Sequence, residues 1–195
     1  LHMSGEMTKA MENHASGCCI NIGTLESIAV SILPEILTGY SDKHPKVSVQ
    51  IENGPTFGPN GLVERVLGHS CDLAFISGDV EHPDIRKWVI GEDHVVIVTN
   101  KDCGETVDFK KLLQNQILSF PTGCVCRILY DRFAEHIGVK SKQVLESSSL
   151  STIFSNVVAG MGVACFPKSC ISFYKTSSSA RRSAASHIFD GVAAK

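Results

Sequence analysis

The sequence predicts an α/β protein of two lobes, each a mostly parallel sheet flanked by helices. Three observations predict it. Short apolar runs alternate with amphipathic stretches along most of the chain. The runs are bounded by Gly, Pro, Asn and Ser, the residues that turn a backbone. The length, 195 residues, suits one large domain or two small lobes and can bury a sizeable core. Strands alternating with helices belong to parallel sheets wound by right-handed crossovers.

The first unit is Cys18 to Gly23 (CCINIG), read as a strand, then a tight turn and TLESIAVSILPEILTGY, whose apolar residues recur at helical spacing. Thr24 is placed to cap this helix through its hydroxyl, Glu26 falls in the first turn where the helix dipole favours negative charge, and Gly39 lies near the far end. Pro34, lacking an amide hydrogen, is expected to kink or split the helix. A second unit follows: Lys46 to Glu52 (KVSVQIE) alternates as a strand does, NGPTFGPNG is turn-rich, and LVERVLGH is a short amphipathic helix. Asp72 to Ser77 (DLAFIS) is a nearly continuous apolar run, as in a strand covered on both faces. After GDVEHPD, the strand HVVIVT leads the chain into a second lobe. There FKKLLQNQ suggests a helix, ILSF a strand, CRILYDRFAEHIG a helix, KQVLES a strand, SLSTIFSNVVAGMG a helix, and VACFP a strand closed by proline. Beyond Pro167 the return is short, with a Ser-rich patch, KTSSSARRSAAS, and SAASHIFDGVAA as the candidate last helix.

Composition excludes several classes. Hydrophobic residues make up 43% and charged residues 19%, and no apolar run approaches the roughly 20 residues that span a bilayer. The opening, LHMSGEMTKAMENHASG, lacks the apolar core of a secretory signal, so the cytoplasm is the default compartment. A net charge of -2 gives no electrostatic footprint for nucleic acid. Eight cysteines might suggest a disulfide scaffold, but a chain this long and apolar needs no staples, and most are expected as reduced thiols. No pair has CxxC spacing, and His44, His69, His82 and His94 are scattered, so neither zinc nor any other cofactor is expected. Phosphate-cradling GxxxxGK[ST] and the nucleophile motif GxSxG are absent, GPTFGPNG does not fit GxGxxG, and no nucleophile stands out with its base. A binding module is therefore expected rather than an enzyme.

In order and content these pieces resemble one family. GCCINIGTLESIAVSILPEILTGYSDKHPKVSVQIENG is similar to the opening of the effector-binding domain of LysR-type transcriptional regulators: a glycine-led strand, a turn, a helix with a leucine-proline step, then a P.V.V...G pattern. GHSCDLAFI resembles the family's G..D.ai step, FPTGCVCR its second-lobe turn with Cys and Arg three apart, and VVAGMGVACFP its V..G.G.a.lP ending. The resemblance runs over residues 17 to 167 and is carried by five pieces in register. It implies a periplasmic-binding-protein-like (type 2) fold, with an effector held in the cleft between the lobes. The division it implies is 18–98 for the first lobe, 99–167 for the second, and 168–195 for a return to the first lobe with a C-terminal helix. Residues 1–17 then read as the end of a linker helix or a cloning remnant. The family's DNA-binding helix-turn-helix would lie in a part this chain lacks, DNA being a partner only through that part, and a homodimer or higher oligomer is implied.

In wound sheets, ligands sit beyond the carboxyl ends of the strands, where turns enter helices. The first strand delivers Thr24, Leu25, Glu26 and Ser27 there, the second Asn53, Gly54, Pro55 and Thr56, the third Ser77 and Gly78. The second lobe offers Thr122, Gly123 and Cys124, then Ser148 and Ser149. Hydroxyls and helix starts suit a small anion, a carboxylate or amino-acid-like metabolite. Each residue also has a plainer role. Thr24, Ser27, Ser148 and Ser149 would serve as helix caps, Glu26 as an exposed first-turn residue, Arg127 as the partner of a nearby acid, and Asp72 as the organiser of its turn. Cys124 and Cys126 carry a separate alternative, since one branch of the family senses peroxide through cysteine and a helix N-terminus lowers a thiol's pKa. A transporter's solute receptor is the remaining rival; the missing signal peptide and the many cysteines oppose it.

Overall fold

The computed structural model describes residues 19–100, 108–114, 116–140, 142–177 and 185–188. The reading of residues 1–17, and Cys18 and Cys103, lie outside the described residues, as does most of the Ser-rich patch. The chain divides between Glu92 and Asp93 into two units, which are taken in turn.

The first unit is built on β1 (Cys19–Thr24), β2 (Ser48–Asn53) and β3 (Leu73–Phe75), all parallel in the order β2-β1-β3. Ile22 of β1 stands between Ile51 and Leu73. The expected long helix is two: α1 (Glu26–Ser31) and α2 (Leu33–Lys43). Pro34 causes the division, because it fits only the first turn of a helix, where its missing N–H has no partner to lose, and it occupies that turn of α2. Gly39 lies inside α2 rather than near its end, since the helix runs on to Lys43. Ile20, Ile22, Leu33, Tyr40 and Phe75 form the core, with Ile28, Ile36, Leu37, Val49 and Leu73 packed against it. The helix α3 (Leu62–Leu67) lies against β1 at Gly23, where a β-carbon would meet Leu62 Cδ2 at 2.8 Å. Asp72, expected to organise its turn, instead ties the chain entering β3 to β1: its carboxylate accepts the Asn21 N–H at 2.7 Å, and its own N–H donates to the Asn21 carbonyl at 2.9 Å.

The second unit begins with β4 (Val95–Thr99), whose pairing lies wholly within it. α4 (Phe109–Leu113) follows, capped by Asp108, which accepts the Lys111 N–H at 3.0 Å. Then come β5 (Gln116–Ser119), α5 (Val125–His136), β6 (Lys142–Glu146), α6 (Leu150–Val158), β7 (Ala164–Pro167), α7 (Lys168–Ser177) and β8 (Ala185–Ile188). β5 and β6 are parallel, and a parallel bridge from Ile117 to Val163 joins β5 to the start of the last strand pair. β4 is antiparallel to both its neighbours, in the order β7-β4-β8. This is the departure from a purely parallel arrangement. Ile97, Leu113, Ile117, Tyr130, Val163 and Cys165 lie at the centre of the core. Phe166, fully buried, takes the edges of Phe120 and Phe154 at 5.8 and 5.9 Å.

Two features after Pro167 differ from the sequence reading. Residues 168–177 are helical, started by Asp93, whose carboxylate accepts from the Ser169 hydroxyl at 2.6 Å and its N–H at 3.3 Å. The last helix expected in SAASHIFDGVAA is not formed at Ala185–Ile188, which is the strand β8; residues 189–195 lie outside the described residues. The physical reason is the second edge of β4: its N–H and C=O groups need partners, and a neighbouring chain supplies them whatever its own helix propensity.

The two glycines of AGMG are each required by contact. Gly160 has φ +89° and stands against the Asn100 amide, and a β-carbon on Gly162 would meet the Gln116 carbonyl oxygen at 2.3 Å. Gly162→Ala is expected to cost about 1–3 kcal/mol, because backbone rather than a side-chain end must yield. Urea denaturation checks it; a variant as stable as the parent would contradict this packing.

Among the described residues, no helix is long and apolar enough to cross a membrane.

Candidate functional site

In the first unit, three strand exits are hydrogen-bonded to one another. The Gly54 N–H donates to the Thr24 carbonyl at 3.1 Å, and the Leu25 N–H to the Phe75 carbonyl at 3.2 Å. Thr24, Leu25, Glu26, Ser27, Asn53 and Gly54 are thereby brought together, with Ser77 two residues past the third exit. Thr24 is not the helix cap. It remains in β1 and is fully buried, its hydroxyl donating to the Leu25 carbonyl at 3.1 Å, so the cap position falls to Leu25, whose apolar side chain makes no capping hydrogen bond. Glu26 stands in the first turn of α1 and Ser27 follows it, its carbonyl accepting the Ser31 hydroxyl at 2.6 Å. Gly78 has φ +91°, a left-handed turn that suits glycine.

The turn after β2 is tightly built. The Pro55 and Thr56 carbonyls accept the Leu62 and Val63 N–H groups at 2.8 and 3.2 Å, so the loop is closed onto α3. Arg65 of α3 staples both arms: Nη1 binds Glu52 Oε2 at 2.9 Å, and Nε donates to the Asn60 carbonyl at 2.8 Å. Gly54 leaves room for that guanidinium, whose Nη2 lies 3.5 Å from where a β-carbon would stand. Thr56 is 8% exposed, and next to it Phe57 is 58% exposed. Sequence reasoning picked Asn53, Gly54, Pro55 and Thr56 from this stretch but not Glu52, Phe57 or Arg65. The signal was an arginine and a glutamate flanking a loop that contains one aromatic residue.

In the second unit, the exits of β5 and β6 are joined by the Ser147 N–H, which donates to the Ser119 carbonyl at 3.1 Å. Thr122 and Gly123 are exposed, Gly123 with φ +94°, and Cys124 takes the cap position of α5. Ser148 is exposed in the bend after β6, and Ser149 caps α6, accepting the Thr152 N–H at 3.3 Å. Arg127 pairs with Asp131 in two bonds of 2.9 and 2.8 Å, and its Nη1 reaches Ser119 Oγ at 2.9 Å and Gln143 Oε1 at 3.0 Å. This guanidinium ties α5 to both strands. A depression of about 460 Å³ beside it is lined by Ser119, Tyr130, Ala134, Val139 and Gln143, with the charged side chains of Glu135 and Lys140, and Arg127 binds three of its polar side chains, Ser119, Asp131 and Gln143.

The thiol of Cys124 is lowered to about 6. The Cys126 S–H that donates to it is the largest cause, burial opposes, and the Cys126 and Arg127 N–H groups at the start of α5 add to the lowering. The same hydrogen bond, with burial, holds Cys126 well above the usual thiol range. The described cysteines Cys19, Cys71, Cys124, Cys126, Cys165 and Cys170 are free thiols, and among the described residues no group of three metal-binding side chains occurs.

A profile of the family described as LysR substrate binding domain matches residues 19–180. The HTH-type transcriptional regulator YofA of Bacillus subtilis is 33% identical over 152 residues, 78% of this chain and 51% of the relative. The chain spans about half the length of the curated relatives it matches. Among solved structures, the effector binding domain of QuiR in complex with shikimate superposes with a TM-score of 0.66 at 18% identity, over 78% of this chain and 75% of that one. The Synechocystis CcmR regulatory domain in complex with 2-PG gives 0.70 at 16% identity, over 87% and 79%. At these identities the likeness is one of fold: the α/β type expected from the sequence, with parallel strands flanked by helices.

Proposed function

Because the chain belongs to the family of LysR substrate-binding domains, we propose that it is the effector-sensing part of a DNA-binding transcription regulator, which takes up a small organic anion at its strand-exit turns and catalyses nothing. The observation that carries this reading is the joining of three strand exits in the first unit through Gly54 to Thr24 and Leu25 to Phe75. In parallel α/β sheets such exits are where ligands bind. Similar domains that have been solved hold shikimate and 2-PG, and the curated relatives bear the names of transcriptional regulators, which supports sensing over catalysis. Contact with DNA belongs in this reading to a further part of a longer cytoplasmic protein, since a net charge of -2 suits no polyphosphate surface. Copies of the chain associate, and the effector shifts the regulator between two arrangements with a coupling of about 1–3 kcal/mol.

The test is a thermal-shift screen of small carboxylates and amino acids. A ligand bound only by the folded state at a hundred times its Kd adds about 2.7 kcal/mol of stability, so one class is expected to raise the melting temperature in a concentration-dependent way. A panel that moves nothing at millimolar concentration would remove the reading.

A second reading, sensing of oxidants through Cys124, is favoured by one observation: the half-buried thiol at the start of α5 is lowered to about 6.

A further inference from the structure

Four of the described thiols gather at the first turn of α5, where Cys126 lies within electrostatic reach of Cys124, Cys165 and Cys170. Cys124 holds the cap position on an extended backbone, φ -69° and ψ 135°, and Cys126 is the second residue of the helix. A cap residue turns its side chain back over the first turn. Here that brings two sulfurs together, the Cys126 S–H donating to the Cys124 sulfur. The pair runs from the surface inward: Cys124 is half-buried, and Cys126 is 6% exposed. CxxC spacing is absent from the chain, but a pair separated by one residue reaches the same closeness because the first of the two stands outside the helix.

A second observation lies behind Cys126. A closed cavity of about 10 Å³, a size that one water fills, is lined by Cys126 and Cys165 together with Phe120 and Tyr130. Ser119 and Arg127, also on its wall, are bound to each other at 2.9 Å. Cys165 is 5% exposed, and among the described residues its thiol has no hydrogen-bond partner. The inner sulfur of the pair therefore borders free space and a further unengaged thiol rather than close packing.

We propose that Cys124 and Cys126 form a two-thiolate site for a soft monovalent metal cation of the copper(I) kind. Thiolate is the ligand that selects such ions over hard ones, and copper(I) is satisfied by two sulfurs in line. Zinc, which takes four ligands, finds no set here, since among the described residues no group of three metal-binding side chains occurs. The cation takes the place of the proton that the two sulfurs share. Two metal–sulfur bonds form, the Cys126 S–H bond breaks, its proton leaves to water, and no electron is transferred. A metal sets two sulfurs further apart than a shared proton does, and the cavity gives the Cys126 sulfur room to withdraw. Entry is from the Cys124 side, the part of the pair that solvent reaches. The site is independent of the effector reading and adds an inorganic ligand to it, at the turn where that reading places a contact from the second unit.

The experiment uses the reduced chain under argon, loaded with copper(I) and dialysed against bathocuproine disulfonate, a chelator of that ion. Retained copper is measured for the parent, Cys124→Ser, Cys126→Ser and Cys19→Ser. The parent and Cys19→Ser are expected to keep one copper per chain, and Cys124→Ser and Cys126→Ser to lose it. Serine is a good cap, so Cys124→Ser should melt as the parent does, which keeps a folding defect from imitating the loss. Cys126→Ser places a hydroxyl in the core, so a second measurement uses the parent alone. Iodoacetamide mapping with and without copper(I) should show Cys124 shielded by the ion while the exposed Cys19 stays open, and X-ray absorption at the copper edge should show two sulfur neighbours. Copper kept by Cys124→Ser, or lost by the parent, overturns the proposal. Equal alkylation of Cys124 with and without copper(I) does the same, as does zinc(II) held by the parent in preference to copper(I). None of these results touches the effector reading, which the carboxylate screen tests by itself.

Discussion

Replacing Phe166 by alanine should lower the stability of the second unit by about 3–5 kcal/mol, the range for a large aromatic removed from a packed core. Phe166 is fully buried on β7 and meets both Phe120 and Phe154 edge to face. Each such pair adds about 0.5–1.5 kcal/mol beyond the area it buries, and one substitution removes both. The loss is read from the denaturant midpoint. Val89→Ala is the control: Val89 is 89% exposed, so its change should stay within about 0.5 kcal/mol. Equal costs for the two variants would mean that Phe166 is not packed as its burial and its two ring contacts imply.

The second large effect is chemical. A thiol lowered to about 6 is mostly thiolate at neutral pH, whereas burial, with the Asp131 carboxylate, pushes Cys165 up to about 12. Thiolate is the nucleophile, and its intrinsic reactivity falls only partly as its pKa falls, so Cys124 should alkylate on the order of a hundredfold faster or more at pH 7. The sign of the pH profile follows from the direction of the shift. An ordinary thiol continues to gain rate above pH 8, but the rate of Cys124 should rise through an inflection at about pH 6, where half of it is ionised, and level above about pH 7, where ionisation is nearly complete. Peptide mapping after iodoacetamide pulses across pH 5–9 measures this. Cys126→Ala removes the S–H that supports the thiolate and should carry the inflection upward. A profile for Cys124 still climbing at pH 9 in the parent would contradict the geometry.

Much of this was legible in the residues, and the failures have definite causes. CINIG, SVQIE and DLAF read as strands because β-branched and apolar residues lie between turn-formers, and Pro34 announced the break between α1 and α2. Ala185–Ile188 read as part of a helix because alanine favours that local structure, while β8 exists through its pairing with β4, far away in sequence. At the turns, FPTGC drew attention to Cys124, but composition gives no sign that Cys126 turns its proton toward it. Thr24 looked like a cap because hydroxyls before helices usually are; the strand keeps it one residue longer than the pattern suggests. Arg65 looked like one charge on an amphipathic helix, and only the folded loop reveals that it grips both arms of a turn.

The order in which β4 gains its neighbours bears on how the chain is made. Val95–Thr99 leaves the ribosome with an apolar VVIVT edge on either side, and its last partner, Ala185–Ile188, is synthesised about 90 residues later. At roughly 5–20 residues per second, that edge stands open for several seconds and invites any other extended strand to dock. A nascent or shortened chain ending before Ala185 would thus carry its own seed for aggregation, and helper proteins that shield strands would have most to do in that interval.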